Sequence, residues 1–174
     1  DALRICQKIL GLNPRFIDAH MMQGVICAQH QRYEEAATHF KRICELEPAH
    51  QGARYNLGLM WLNAGHVNEA ERVFRHVLAL DGQHIACMNS LGVLLAQTGR
   101  IEAAMTCFRS SLQLAPAQPE VLNNLGNCSL ESKQFQDAEQ FYLQAIRLDP
   151  THLDARFNLA KLEGQLQKTP EAIQ

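Results

Sequence analysis

The stretch NNLGN at residues 123–127 decides the fold, because it comes back. YNLGL stands at 55–59, NSLGV at 89–93 and FNLAK at 157–161, so successive copies lie 34 residues apart. Other columns keep the same interval. One reads Pro14, Pro48, Gly82, Pro116, Pro150; another reads Ala2, Ala36, Ala70, Ala104, Ala138, Ala172. A third holds Cys6, Phe40, Phe74, Phe108 and Tyr142, and a fourth Gly24, Gly58, Gly92, Gly126 and Ala160. A fixed period in this range is the signature of a solenoid, in which each unit buries its apolar face only against its neighbours.

One period holds two helices. In 85–118, Met88, Leu91, Gly92 and Leu95 recur at helical spacing, QTG at 97–99 interrupts, and Ala104, Phe108, Ser111 and Leu112 form a second stripe before Pro116. Pro119 opens the next first helix, where its missing N–H is no loss. The small columns let the paired helices approach, and the aromatic column fills the space between layers. Burial of Phe108 is worth about 3 kcal/mol or more by the usual cost of Phe→Ala.

The chain has 174 residues, 47% apolar and 20% charged, with a formal net charge of −2. No long run of one sign occurs, and a basic face is the usual footprint of phosphate binding, so nucleic acid is not an expected partner. No apolar run reaches the roughly 20 residues of a membrane span. The six cysteines, Cys6, Cys27, Cys44, Cys87, Cys107 and Cys128, form no CxxC pair and read as structural thiols, which favours a reducing, cytoplasmic setting. No metalloprotease, hydrolase or phosphate-loop motif occurs, and no enzyme activity, metal or cofactor is expected. His50, His84 and His152 share a column at the turn before a first helix. Packed helices lie about 10 Å apart and zinc needs its ligands at about 2 Å, so that column reads as polar turn residues.

The Leu-Gly pair, the Ala and aromatic columns and the terminal Pro resemble the tetratricopeptide repeat family over the whole chain. Gly82 for Pro, Arg54 and Arg156 for a large apolar residue, and Gln23 for Leu depart from the family pattern. The resemblance implies an all-α, right-handed α-solenoid of stacked antiparallel helix pairs, one array over 1–174. Full repeats are expected at 17–50, 51–84, 85–118 and 119–152. Residues 1–16 read as the second helix of an earlier repeat, and 153–174 as a first helix with the start of a second at Pro170. Leu159, Leu162 and Leu166 are expected to leave apolar surface uncovered there, with homo-oligomerisation through uncapped ends as one outcome.

In this family ligands lie in a groove lined by the first helices. By helical phase that face carries Met21, Tyr55, Asn89, Asn123 and Phe157; then Met22, Asn56, Ser90, Asn124 and Asn158; then Val25, Leu59, Val93, Asn127 and Lys161, with Leu62 beyond. The early part is apolar and the later part amide-rich. A contiguous apolar patch marks binding or assembly. An Asn amide both donates and accepts, so it can hold a peptide backbone without regard to side chains. An extended strand rises about 3.3 Å per residue, so roughly three residues span one helix layer of about 10 Å. The same amides also read as a structural ladder between helices, and both readings stand.

Chaperone-binding members of the family clamp acidic tails with Lys and Arg on this face; here those positions are Met21, Gly52, Asn56, Ala86 and Ser90, none of them basic. The Asn pattern is similar to the superhelical repeats of O-linked N-acetylglucosamine transferases. The reading is a scaffold that binds an extended, largely uncharged segment of a protein or peptide. The alternatives are a substrate-presenting or regulatory arm of a larger enzyme such as a glycosyltransferase or sulfotransferase, and a self-assembly scaffold.

Overall fold

The computed structural model describes residues 2–168; Pro170 lies outside them. Among these residues there are ten helices and no strand: α1 Ala2–Leu12, α2 Ile17–Gln29, α3 Tyr33–Leu46, α4 Gln51–Asn63, α5 Val67–Leu80, α6 Ile85–Gln97, α7 Ile101–Leu114, α8 Pro119–Glu131, α9 Phe135–Leu148 and α10 Leu153–Lys168. Even-numbered helices are the first helices of the expected pairs. The chain divides into two compact units, Asp1–Cys87 and Met88–Gln174.

The turn inside each pair is built the same way four times. Gln31, Gly65, Gly99 and Lys133, again 34 apart, have φ of 58°, 81°, 75° and 58°. The N–H of the following residue reaches back to close each first helix: Arg32 to Cys27, His66 to Trp61, Arg100 to Leu95 and Gln134 to Ser129, at 2.8–2.9 Å. This is the Schellman closure, which needs a left-handed residue just past the helix. Two of the four turns place a non-glycine there, at a cost of about 1–2 kcal/mol for the left-handed conformation.

The glycine column has a steric cause. A Cβ at Gly24 would lie 2.8 Å from the Phe40 ring, one at Gly58 2.6 Å from Phe74, one at Gly92 2.5 Å from Phe108 and one at Gly126 2.4 Å from Tyr142. Each aromatic therefore sits on the glycine of its own pair. In the first unit Phe40 also joins Ala53 and Leu57 of the following helix in one buried cluster. The ring is thus the contact inside a pair as well as between layers.

Two polar columns serve the turns between pairs. Nδ1 of His50, His84 and His152 accepts the N–H of Ala53, Cys87 and Ala155 at 3.1, 3.1 and 3.3 Å, which caps the next first helix. The expected polar turn residue is therefore an N-cap. At the position of Arg54, side chains instead reach the carbonyl six residues back. Arg54 donates to Pro48, Arg156 to Pro150 at 3.1 Å, and His20 Nε2 lies 3.1 Å from the Pro14 oxygen. The departures at Arg54 and Arg156 thus satisfy the carbonyl of the terminal proline.

In the second unit, Leu162 is fully buried in a cluster with Ala138 and Tyr142, and Leu159 and Leu166 pack against it. Leu162 is therefore covered, against the expectation, whereas Leu159 and Leu166 are only partly buried and keep part of the apolar surface expected there. The exposed large apolar residues of α10, among those described, are Leu153 and Phe157.

Candidate functional site

In the first unit the expected groove residues divide by role. Met21 and Leu59 pack against the buried cluster of Cys27, Phe40 and Leu57. Met22 and Val25 are exposed, while Asn56 and Leu62 are half-buried. The half-buried Tyr55 ring lies 5.0 Å from the His84 ring and 6.1 Å from Phe74, and its hydroxyl is 3.5 Å from the Ala86 oxygen. Tyr55 is therefore fixed by its neighbours, with part of one face open.

In the second unit the amides form a network across helices. Asn158 Nδ2 on α10 donates to Asn123 Oδ1 and Asn127 Oδ1 on α8, both at 3.0 Å. The Tyr142 hydroxyl donates to the same Asn127 oxygen at 2.8 Å. Burial, followed by the charge of the neighbouring thiol, pushes the Tyr142 phenol up to about 12, so it remains a donor. Asn123 is 3% exposed, so its amide is buried within this network. Asn89 is engaged elsewhere: its Nδ2 donates to Gln118 at 2.8 Å, and Gln118 in turn donates to the carbonyls of Ser111 and Ala115.

Asn124 differs from these. It is half-buried and makes no hydrogen bond among the described residues. With Val93 and Asn127 it lines a cleft of about 260 Å³ between α6 and α8, whose floor includes the buried Phe108 ring. Cys128 and Glu131 complete one wall. Burial pushes the Cys128 thiol up to about 11, which keeps it protonated and poorly nucleophilic. The structure thus brings together Val93, Asn124 and Asn127 at one cleft, and Asn123, Asn127 and Asn158 in one network. Phe157 stands exposed on α10.

The sequence reads these amides as ligand contacts or as a structural ladder between helices; the bonds among Asn123, Asn127 and Asn158 are of the ladder kind, but which amides pair was not legible. The signal was present: Asn123 and Asn127 are spaced i, i+4, and Asn158 lies 35 and 31 residues further on, one residue more and three fewer than the 34-residue period. No group of three or more His, Cys, Asp or Glu among the described residues is placed to hold a metal. No described helix is long and apolar enough to cross a membrane.

Comparison with known proteins agrees with this architecture. The chain spans 85% of its length and 86% of the other chain in a match to the crystal structure of MamA, with a TM-score of 0.80 at 16% identity. It matches YrrB, titled a TPR protein with an unusual peptide-binding site, at TM-score 0.77 and 19% identity, over 89% and 80% of the two chains. It matches pilF of Pseudomonas aeruginosa at TM-score 0.79 and 23% identity, over 90% and 71%. Among curated proteins, a UDP-N-acetylglucosamine--peptide N-acetylglucosaminyltransferase of Giardia intestinalis is 36% identical over 55 residues. That stretch is 32% of this chain and only 4% of the transferase. Models described as tetratricopeptide repeat match residues 1–49, 27–91, 84–115, 119–152 and 141–174. With its length tiled in this way, the chain belongs to the tetratricopeptide repeat family.

Proposed function

We propose that the chain is a protein-interaction scaffold that binds an extended, largely uncharged peptide segment along the face of its first helices. The observation that carries this reading is Asn124, a half-buried side-chain amide with no hydrogen bond among the described residues, at a cleft of mixed apolar and polar lining. Beside it, the Asn127 carbonyl is taken by Tyr142 and Asn158, which leaves the Asn127 NH2 available to a ligand. An acceptor from one amide and a donor from the next match the alternating N–H and C=O of an extended strand. Met22 and Val25 offer the apolar contacts that usually dominate such interfaces. We read the module as one array over 1–174, without catalysis of its own, acting in the cytoplasm on protein rather than nucleic acid.

The test is a peptide-library selection on the whole chain, followed by affinities and melting curves for two variants. Asn124→Ala should weaken a selected peptide about threefold to tenfold, the net worth of one neutral hydrogen bond, and leave the melting temperature in place. Asn158→Ala should lower the melting temperature, because it releases a network. If Asn124→Ala leaves affinity intact, the backbone-holding role is wrong.

A second reading is a substrate-presenting or regulatory arm of a larger enzyme. The similarity to a stretch of a peptide N-acetylglucosaminyltransferase favours it. The coding sequence on both sides of the chain tests it directly, since a catalytic domain in frame is the required outcome.

A further inference from the structure

The opposite side of α4 carries a feature that the groove reading leaves unused. At about 100° per residue, Tyr55, Leu59 and Leu62 fall on one side of the helix and Arg54 and Leu57 on the other. On that second side, α3, α4 and α5 enclose a cleft of about 230 Å³ lined by Cys44, Arg54, Leu57, Arg72, Val73 and His76. Half of these residues carry basic side chains and none is acidic.

Arg54 is held in position by its hydrogen bond to the Pro48 carbonyl. A guanidinium has five N–H donors, and Nη1 of Arg54 is buried with no partner. Arg72 and His76 stand one helical turn apart on α5, and neither makes an ion pair or hydrogen bond among the described residues. Other cations of this unit are paired: Arg32 with Glu35, Arg42 with Glu45 and Arg75 with Glu71. This unit therefore neutralises several of its cations and leaves those of the cleft without an ion pair among the described residues.

A cleft in the second unit shows the contrast. Three periods on, Ile146, Arg156 and Leu159 take the places of Cys44, Arg54 and Leu57, and Arg156 makes the same bond to its proline carbonyl. There Glu163 also lines the cleft and brings a negative charge of its own. The first cleft has no such residue.

We propose that the Arg54 cleft is a second binding site, taking one oxyanion-bearing side chain of a partner polypeptide. The space is smaller than the roughly 300 Å³ at which pockets for whole small molecules begin, so it suits a single side chain. The basic residues supply charge-assisted hydrogen bonds to a carboxylate or phosphoryl group. Leu57 and Val73 supply apolar walls for the residues beside it.

The test uses the full chain, with side-chain and amide NMR signals followed while blocked Leu–X–Val peptides are added. X is phosphoserine, glutamate or serine. The two anionic peptides are expected to shift the signals of Arg54, Arg72 and Cys44, and the serine peptide is not. A response to phosphoserine alone assigns a phosphoryl ligand; a response to both shows that a carboxylate suffices. Arg72→Gln with His76→Gln, both at exposed positions, should keep the fold and weaken the anionic peptide about tenfold or more. Added salt should weaken it further. Asn124→Ala should leave this response unchanged, which separates the site from the groove. Equal shifts with the serine peptide, no shift with either anionic peptide, or loss of the response in Asn124→Ala would overturn the proposal.

Discussion

The two compact units repeat the same helix pair, yet they use the face of their first helices differently. In the first unit the side chains there are mostly carbon: Met21 and Leu59 are partly buried against the core, and Met22 and Val25 stay exposed. In the second unit the same columns hold amides, and most are occupied with one another. Asn158 bonds to Asn123 and Asn127, Tyr142 bonds to Asn127, and Asn89 bonds to Gln118. Asn124 alone of the Asn residues expected there in this unit makes no such bond among the described residues. A column of equivalent positions therefore fixes where a side chain starts. Its role depends on what the neighbouring helix offers at that height.

The strongest way to break the comparison is to attack what the units share. Gly58→Ala in one and Gly126→Ala in the other each drive a Cβ into an aromatic ring. Each is expected to destabilise by about 1–3 kcal/mol through overpacking. Gly11→Ala, where nothing lies within 4 Å of the added carbon, should stabilise by up to about 1 kcal/mol. Thermal unfolding of the three variants measures this, and a neutral Gly126→Ala would contradict the packing described.

Asn158→Ala against Asn124→Ala sharpens the contrast among the amides. The first leaves the buried Asn123 oxygen without its donor, at a cost of about 1–3 kcal/mol. The second should stay within about 0.5 kcal/mol of the parent. Equal losses of stability would mean that Asn124 is structural too.

Acid should affect the first unit through a pair described only there. His20 Nδ1 and His39 Nδ1 lie 3.1 Å apart, and His20 Nε2 is 3.1 Å from the Pro14 oxygen. Burial first, and the nearby His20 second, hold His39 below the ordinary histidine range. As pH falls below about 6.5 the unfolded chain takes up its proton first, so stability drops until the folded form also titrates. Hydrogen exchange in α2 and α3 against pH should show this loss, and His39→Gln should reduce it. An unchanged slope in that variant would remove His39 as its cause.

The smallest expected effect tests the turns. Lys133→Gly and Gln31→Gly relieve a left-handed non-glycine residue, and each should stabilise by up to about 1 kcal/mol, net of the added freedom of the unfolded chain. Gly65→Ala and Gly99→Ala should do the reverse, since both glycines have positive φ. Urea titrations of the four variants check the sign at each turn.

The helix pairs could be read from sequence because Pro, Ala, Gly and aromatic columns report steric needs that recur in every repeat. The left-handed turn was harder to see, because Gln31 and Lys133 interrupt its glycines. The histidine column looked like polar turn residues; its capping role depends on which ring nitrogen faces the N–H of the third helical residue. Arg54 and Arg156 looked like departures until the proline carbonyls beside them were in view. The amide network was hidden for a different reason. A side-chain amide has a donor end and an acceptor end, and the partner that fixes it lies on another helix, 29 to 35 residues away and out of column. The burial of Leu162, and the partial cover of Leu159 and Leu166, likewise depend on how α10 settles against Tyr142 and its neighbours.

The aromatic seated on glycine also bears on how quickly the chain can find its fold. Gly24 and Phe40, Gly58 and Phe74, Gly92 and Phe108, and Gly126 and Tyr142 are each 16 residues apart. A central contact that closes so short a loop carries little entropic penalty, and chains dominated by such contacts fold rapidly. Any one pair can serve as a nucleus, and growth then proceeds by adding neighbours in either direction. A chain of this kind can begin to acquire structure during synthesis as soon as the aromatic of one such pair has emerged.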